Sequence, residues 1–250
     1  MNSNSEQVYA DGPIEDHALI RSLGLSSATS SASLGKAFLL AEADGHFDLR
    51  PPGEHSRPGI RAIFPPDRGG DARNPLLRAF GKRIVAIHDL TAGLGGDAYR
   101  LARAGYDVVA FERDPAIFAL LWSSWEDAQA KGAVPSDIAA RLAFRRSEGA
   151  TEIDGIKGLD QGVYIDPMYP PARRASAKPR RELQVLRALL GEQTDAADLV
   201  RHARVRAARV VVKRPHHASP LVERPSHVIE SKLVRFDVYV NPGLLSEVAS

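Results

Sequence analysis

The 250-residue chain changes its pattern of apolar and polar positions part-way along. Residues 1–36 are Ser-rich, with SSATSSAS at 26–33, and hold no sustained period, so they read as loosely ordered chain or loop. In AFLLAEADGHFDLR at 37–50, two apolar stretches flank Asp44-Gly45, a turn pair that favours a β-hairpin. Residues 51–75 are rich in Pro, Gly and Arg and read as irregular. The expected organisation is an N-terminal extension over 1–75 and a main domain over 76–250, with no internal repeat.

From about residue 83 strands and helices alternate, the pattern of a mostly parallel sheet covered by helices, an α/β domain of Rossmann-like type. IVAIHD at 84–89 reads as a buried strand, DAYRLARAG at 97–105 as a short helix stopped by Gly105, and DVVAFE at 107–112 as the next strand. Asp114 as N-cap and Pro115 at the first helical position start a helix that runs to about Lys131 and closes at Gly132. Further strands are expected at 142–145, 163–166 and 209–213. LVRFDVYV at 233–240 alternates and reads as a late strand, with an antiparallel pairing in view.

Composition removes several classes. Hydrophobic residues make up 44% and charged residues 26%, as in an ordinary globular protein. The longest apolar runs, such as AIFALLW at 116–122, fall far short of a membrane span. MNSNSEQ has neither a basic nor an apolar leader region, so the expected location is cytoplasmic, with no membrane association. The chain has no cysteine, which excludes disulfides, thiolate metal centres, radical-SAM clusters and a Cys nucleophile such as 5-methylcytosine enzymes use. Net charge is only +2, but residues 173–214 hold twelve Lys/Arg against four acids.

DLTAGLGGDA at 89–98 joins a strand to a helix, where Gly93, Gly95 and Gly96 let the backbone turn sharply and approach a ligand. Glu112, 19 residues after Gly93, ends the following strand, where a carboxylate can accept from two ribose hydroxyls. This order suits an adenosine-type cofactor; a turn needed only for packing is the alternative. Gly93, Gly95 and Ala98 also satisfy the GxGxxG/A spacing of NAD sites. Asp89, in front of the loop, would repel a pyrophosphate but could hold the ammonium group of S-adenosylmethionine (SAM), which fits better. Asp97 is either a helix-start acid or a polar group beside the same cofactor.

VYIDPMYPP at 163–171 puts Asp166 at the carboxyl edge of the sheet, where open α/β folds bind ligands. Asp166, Pro167 and Tyr169 resemble the (D/N/S)PP(Y/F/W) motif of methyltransferases acting on exocyclic amines of nucleobases. In that motif the acid and a neighbouring carbonyl accept from the NH2 group while the aromatic ring stacks on an unstacked base. Met168 stands where the motif has its second proline, and a Pro-rich loop with a half-buried Tyr is the bland reading. RRASAKPRR at 173–181 follows, with five positive charges in nine residues, and Lys213 and Arg214 end another strand, so both could form a basic rim for phosphates. His216 and His217 lack acidic or cysteine partners at ligand spacing, and no metal is expected.

DLTAGLGGDA, AFERDP, GVYIDPMYPP, VVVKRP and VRFDVYV together resemble the RsmJ family of small-subunit ribosomal RNA methyltransferases, over residues 59–242. The resemblance implies a class I SAM-dependent methyltransferase fold and methyl transfer to the N2 amine of a guanosine in 16S rRNA. It also implies cofactor contacts at Gly96, Asp97, Glu112, Arg113 and Asp166. The family's Ser-Ser contact aligns with Glu148-Gly149, or with Ser147-Glu148 if slipped by one, and Gly96 replaces a family Arg. The expected partner is ribosomal RNA or the small ribosomal subunit, with no obligate protein partner. Three other readings of the residues stay open: adenine-N6 methylation in RNA or DNA, an NAD-dependent oxidoreductase, and a non-catalytic RNA-binding module.

Overall fold

A computed structural model describes residues 8–10, 18–27, 38–43, 46–54, 56–65, 74–167, 181–191 and 194–241. In chain order its elements are β1 (Val8–Ala10), α1 (Ala18–Leu23), β2 (Ser26–Ser27), β3 (Phe38–Ala43), β4 (His46–Arg50), α2 (Pro75–Phe80), β5 (Ala86–Asp89) and α3 (Gly96–Arg103). β6 (Asp107–Glu112), α4 (Pro115–Ala130), α5 (Ser136–Arg141), β7 (Leu142–Arg146), α6 (Gly149–Glu152) and β8 (Gln161–Ile165) follow. The last are α7 (Arg181–Leu190), α8 (Ala196–Arg206), β9 (Arg209–Pro215), β10 (His227–Glu230) and β11 (Val234–Val240). They fall into two compact units, each gathered from three stretches of chain.

One unit comprises Met1–Pro65, Asp114–Ala133 and Met168–Gln193. Its sheet has the order β2-β1-β3-β4. β3 and β4 are antiparallel with Ala43 opposite His46, as a hairpin turning at Asp44-Gly45 requires; those two residues lie outside the described ones. Reading residues 1–36 as loose chain is corrected: β1 lies between β2 and β3, parallel to both, and Ile20 and Leu23 of α1 are buried. These elements are too short to impose a period on the sequence. α4 begins as its residues dictate, with the Asp114 carboxylate accepting from the amides of Ala116 and Ile117 and Pro115 in the first turn. Ser123 Oγ accepts from the Phe47 amide at 3.0 Å, and Trp125 meets Phe64 edge-on at 5.0 Å. Among the described residues no helix is long and apolar enough to cross a membrane.

The other unit comprises Pro66–Arg113, Val134–Pro167 and Thr194–Ser250. Its seven-stranded sheet has the order β10-β11-β9-β8-β5-β6-β7. β5 to β9 are mutually parallel, and β11 runs antiparallel to both β9 and β10. Alternation along β8 sends Val163 and Ile165 to one face, where they join Val210, Val212, Val200 and Ala203 in the core. Tyr164 turns to the opposite face and meets Phe80 of α2. Gly162 is required on that face, since a Cβ there would lie 3.0 Å from the Phe80 ring. The chain enters the sheet at β5, builds outward through β6 and β7, and returns to β8 on the other side of β5. The carboxyl ends of β5 and β8 therefore flank the topological switch point, where open α/β sheets form their ligand crevice.

Candidate active site

The loop after β5 is built to bring backbone close to the crevice. Gly93 (φ 55°) and Gly95 (φ 74°) occupy the left-handed region, which a side chain would strain, and Gly95 serves as the cap from which α3 starts. Two carboxylates fix the loop. Asp89 Oδ1 accepts from the Thr91 amide at 3.0 Å, and Glu112 Oε2 accepts from the Gly93 amide at 2.8 Å across the β5–β6 pair. Thr91 Oγ1 in turn accepts from the Asp166 amide at 2.7 Å, so the glycine loop is hydrogen-bonded to the chain leaving β8.

Asp97, Asp166, Tyr164 and Lys213 form one connected group. Lys213 Nζ, from β9, donates to Asp97 Oδ2 and Asp166 Oδ2 at 2.8 Å each, and the Tyr164 hydroxyl donates to Asp97 Oδ2 at 2.7 Å. Asp97 also pairs with Arg100 one turn along α3. Of the two roles expected for Asp97, the helix-start role thus describes only part of its environment. Burial would raise the Asp97 carboxyl, but Lys213, Arg100 and the Tyr164 hydroxyl hold it below its ordinary value. Burial wins at Asp166, whose carboxyl is raised despite Lys213. Burial and the surrounding acids push the Tyr164 hydroxyl well above its usual range, so it remains a donor.

Asp89 is fully buried, and desolvation, with Asp97, Asp166 and Glu112 nearby, pushes its carboxyl up to about 8. Its folded value lies above its unfolded value of 3.8, so the folded chain holds this proton more tightly. The stability contributed is complete below about pH 4 and is lost as pH rises towards 8. Asp89→Asn, which keeps the oxygen that Thr91 needs, is expected to flatten this decline. Thermal unfolding of the cofactor-free protein at pH 5 and pH 8 checks it, and an identical slope in both proteins would remove Asp89 as the cause.

The remaining expected site residues flank this crevice. Arg113 follows β6 and pairs with Asp195 at 2.5 Å and Glu148 at 3.5 Å. Gly149 starts α6 against the loop residue Leu90, where an added Cβ would lie 2.6 Å from the Leu90 carbonyl oxygen. Gly96 is open: an added Cβ would meet nothing within 4 Å, so the missing side chain leaves room beside the loop. Pro167 follows Asp166 directly. Met168, Tyr169 and residues 173–180 lie outside the described residues. Arg181, the last of the basic run, bonds to Glu54 and to the Pro58 carbonyl.

One expectation is corrected. Lys213 and Arg214 do not form a phosphate-binding rim: the Lys213 ammonium is held between two carboxylates, and Arg214 is buried and donates to the Ser219 carbonyl. Three residues absent from the sequence-based site belong to it by geometry, namely Thr91, Tyr164 and Lys213 acting as an acid partner.

The model of a SAM-dependent methyltransferase family matches residues 66–241. "Ribosomal RNA small subunit methyltransferase J" of Rhodopseudomonas palustris is 38% identical over 189 residues, covering 73% of this chain and 84% of that protein. The protein of the same name from Coxiella burnetii is 36% identical over 221 residues, covering 82% and 84%. The chain belongs to the ribosomal RNA small subunit methyltransferase J family. A crystal structure of a SAM-dependent methyltransferase from Neisseria gonorrhoeae superposes with a TM-score of 0.67 at 27% identity, covering 94% of this chain and 97% of that one. The fold is that of a class I methyltransferase, and the family's cofactor is SAM.

The residues present fit that cofactor. Asp97, Asp166 and Glu112 lie near the buried Asp89 and raise its carboxyl, so the crevice is rich in acids and suits a sulfonium and an ammonium group, although Lys213 pairs with two of them. The same acids oppose a pyrophosphate. Membership of the methyltransferase family therefore replaces the NAD reading of Gly93, Gly95 and Ala98, for which the glycine spacing alone spoke.

Proposed function

We propose that this chain is a cytoplasmic enzyme that transfers the methyl group of SAM to the exocyclic N2 amine of a guanosine in 16S rRNA. The observation that carries the reading is Asp166-Pro167 at the carboxyl end of β8, tied by the Asp166 amide to Thr91 in the glycine loop. With Asp166 as the amine acceptor, this connection supports a reading in which the amine and the cofactor share one crevice. SAM, when bound, supplies an electrophilic methyl group on a sulfonium.

The glycine loop lets the backbone of Gly93, Gly95 and Gly96 approach the cofactor. Glu112 accepts from ribose hydroxyls, Asp89 takes the ammonium group, and Arg113, Glu148 and Gly149 border the adenine. Asp97 holds the start of α3 beside it. An aryl amine has its lone pair delocalised into the ring, so orientation supplies much of the catalysis. The Asp166 carboxylate and the Pro167 carbonyl accept the two N2–H bonds, which aims the lone pair at the methyl carbon, and Tyr169 stacks on the base. The proton that N2 loses goes to the Asp166 carboxylate. The basic run 173–181 meets the phosphates beside the target.

Incubating the protein with labelled SAM and small ribosomal subunits from cells lacking this activity, followed by nucleoside mass spectrometry, tests the reading. N2-methylguanosine is the expected product. N6-methyladenosine would keep the cofactor and fold but move the acceptor, and SAM binding without any product would favour a non-catalytic RNA-binding role.

A further inference from the structure

We infer that Lys213 is a positioning residue for methyl transfer, its ammonium group tying Asp166 to Asp97 and holding the Asp166 carboxylate aimed at the amine. The inference rests on the reading of Asp166 as the amine acceptor. Lys213 reaches the site from β9, next to β8 in the sheet, and makes two 2.8 Å contacts to acids that are 69 residues apart in the chain. One acid opens the helix after the glycine loop; the other follows the strand that delivers the amine acceptor.

The groups that act on Asp166 come from four elements. Asp97 on α3 adds negative charge, Asp89 at the end of β5 lies nearby with its carboxyl raised to about 8, Tyr164 on β8 stays a neutral donor to Asp97, and Lys213 on β9 is the cation in direct contact. Burial and Asp97 both favour protonated Asp166, and Lys213 opposes them. A protonated Asp166 offers a hydroxyl where the amine needs an acceptor. Lys213 itself stays charged, because two carboxylates outweigh the cost of its burial. It therefore takes no proton from N2: the lone pair of N2 bonds the methyl carbon, sulfur keeps the electron pair of the broken bond, and the displaced proton goes to Asp166.

The test is the pH dependence of kcat at saturating SAM for the wild type, Lys213→Met, Lys213→Gln and Lys213→Arg, with SAM binding measured alongside to establish that each variant is folded. Lys213→Met and Lys213→Gln are expected to move the acid limb of the profile upward by about one unit or more, so that kcat falls up to about tenfold at pH values on the shifted limb and recovers at higher pH. The glutamine retains a donor without the charge, so its behaviour separates charge from hydrogen bonding. Lys213→Arg should keep the limb where the wild type has it. An unmoved limb in both the Met and Gln variants, whatever their absolute rates, overturns the role of Lys213 and leaves the proposed reaction standing. A wild-type protein that methylates no guanine N2 overturns the reaction and the inference together.

Discussion

Asp166→Ala is expected to lower methyl transfer by roughly 10²–10³-fold while SAM binds within about tenfold of its wild-type affinity, the scale seen when one preorganised polar contact to a reacting group is removed. The substitution deletes the carboxylate proposed to accept from the amine and leaves the Asp166 amide to bond Thr91, so the loop remains anchored. Lys213 keeps Asp97 as a partner, which limits the disturbance around the cofactor. Asp166→Asn, with an acceptor oxygen but no charge, should fall between the two. Single-turnover transfer rates and calorimetric SAM binding together measure the effect. Transfer at the wild-type rate would sink the assignment of Asp166.

Glu112→Ala should act on the other side of the reaction, weakening SAM by about 10–100-fold through loss of charge-assisted hydrogen bonds, with kcat at saturating SAM changed far less. One oxygen of its carboxylate receives the Gly93 amide and fixes the loop, and under the proposed reading the carboxylate also receives ribose hydroxyls. Glu112→Gln retains an acceptor for Gly93 and should recover part of the affinity. Equal SAM affinity in the alanine variant would place the ribose elsewhere.

The parts of the site that sequence made legible are those in which neighbours in the chain are neighbours in space. Gly93 and Gly95 adopt positive φ between a strand and a helix, and Asp114-Pro115 starts α4, because turn and cap chemistry is local. Glu112 was legible at one remove, since a strand–helix–strand unit fixes its distance from the loop. Lys213 was legible only as positive charge. Its acids lie 47 and 116 residues back, and only the parallel order of β5, β8 and β9 assembles them. Tyr164 was hidden for another reason: within VYID it reads as one more apolar strand residue, although its hydroxyl reaches Asp97. Among helices, α2 and α5 have six residues each, too few for a helical period to emerge. β10 is exposed along most of its length and so lacks an inward-facing apolar set.

The antiparallel strand β11 has a consequence for how the chain acquires its fold. β9, whose residues 210–212 are three consecutive buried valines, keeps the backbone donors and acceptors of one edge unpaired until β11 pairs along it. That partner leaves the ribosome about twenty residues later, after β10, and until then β9 is an unpaired edge strand. Closure of this edge is consequently a late event of synthesis, and the nascent protein is most vulnerable to aberrant strand pairing in the interval before residue 240 emerges.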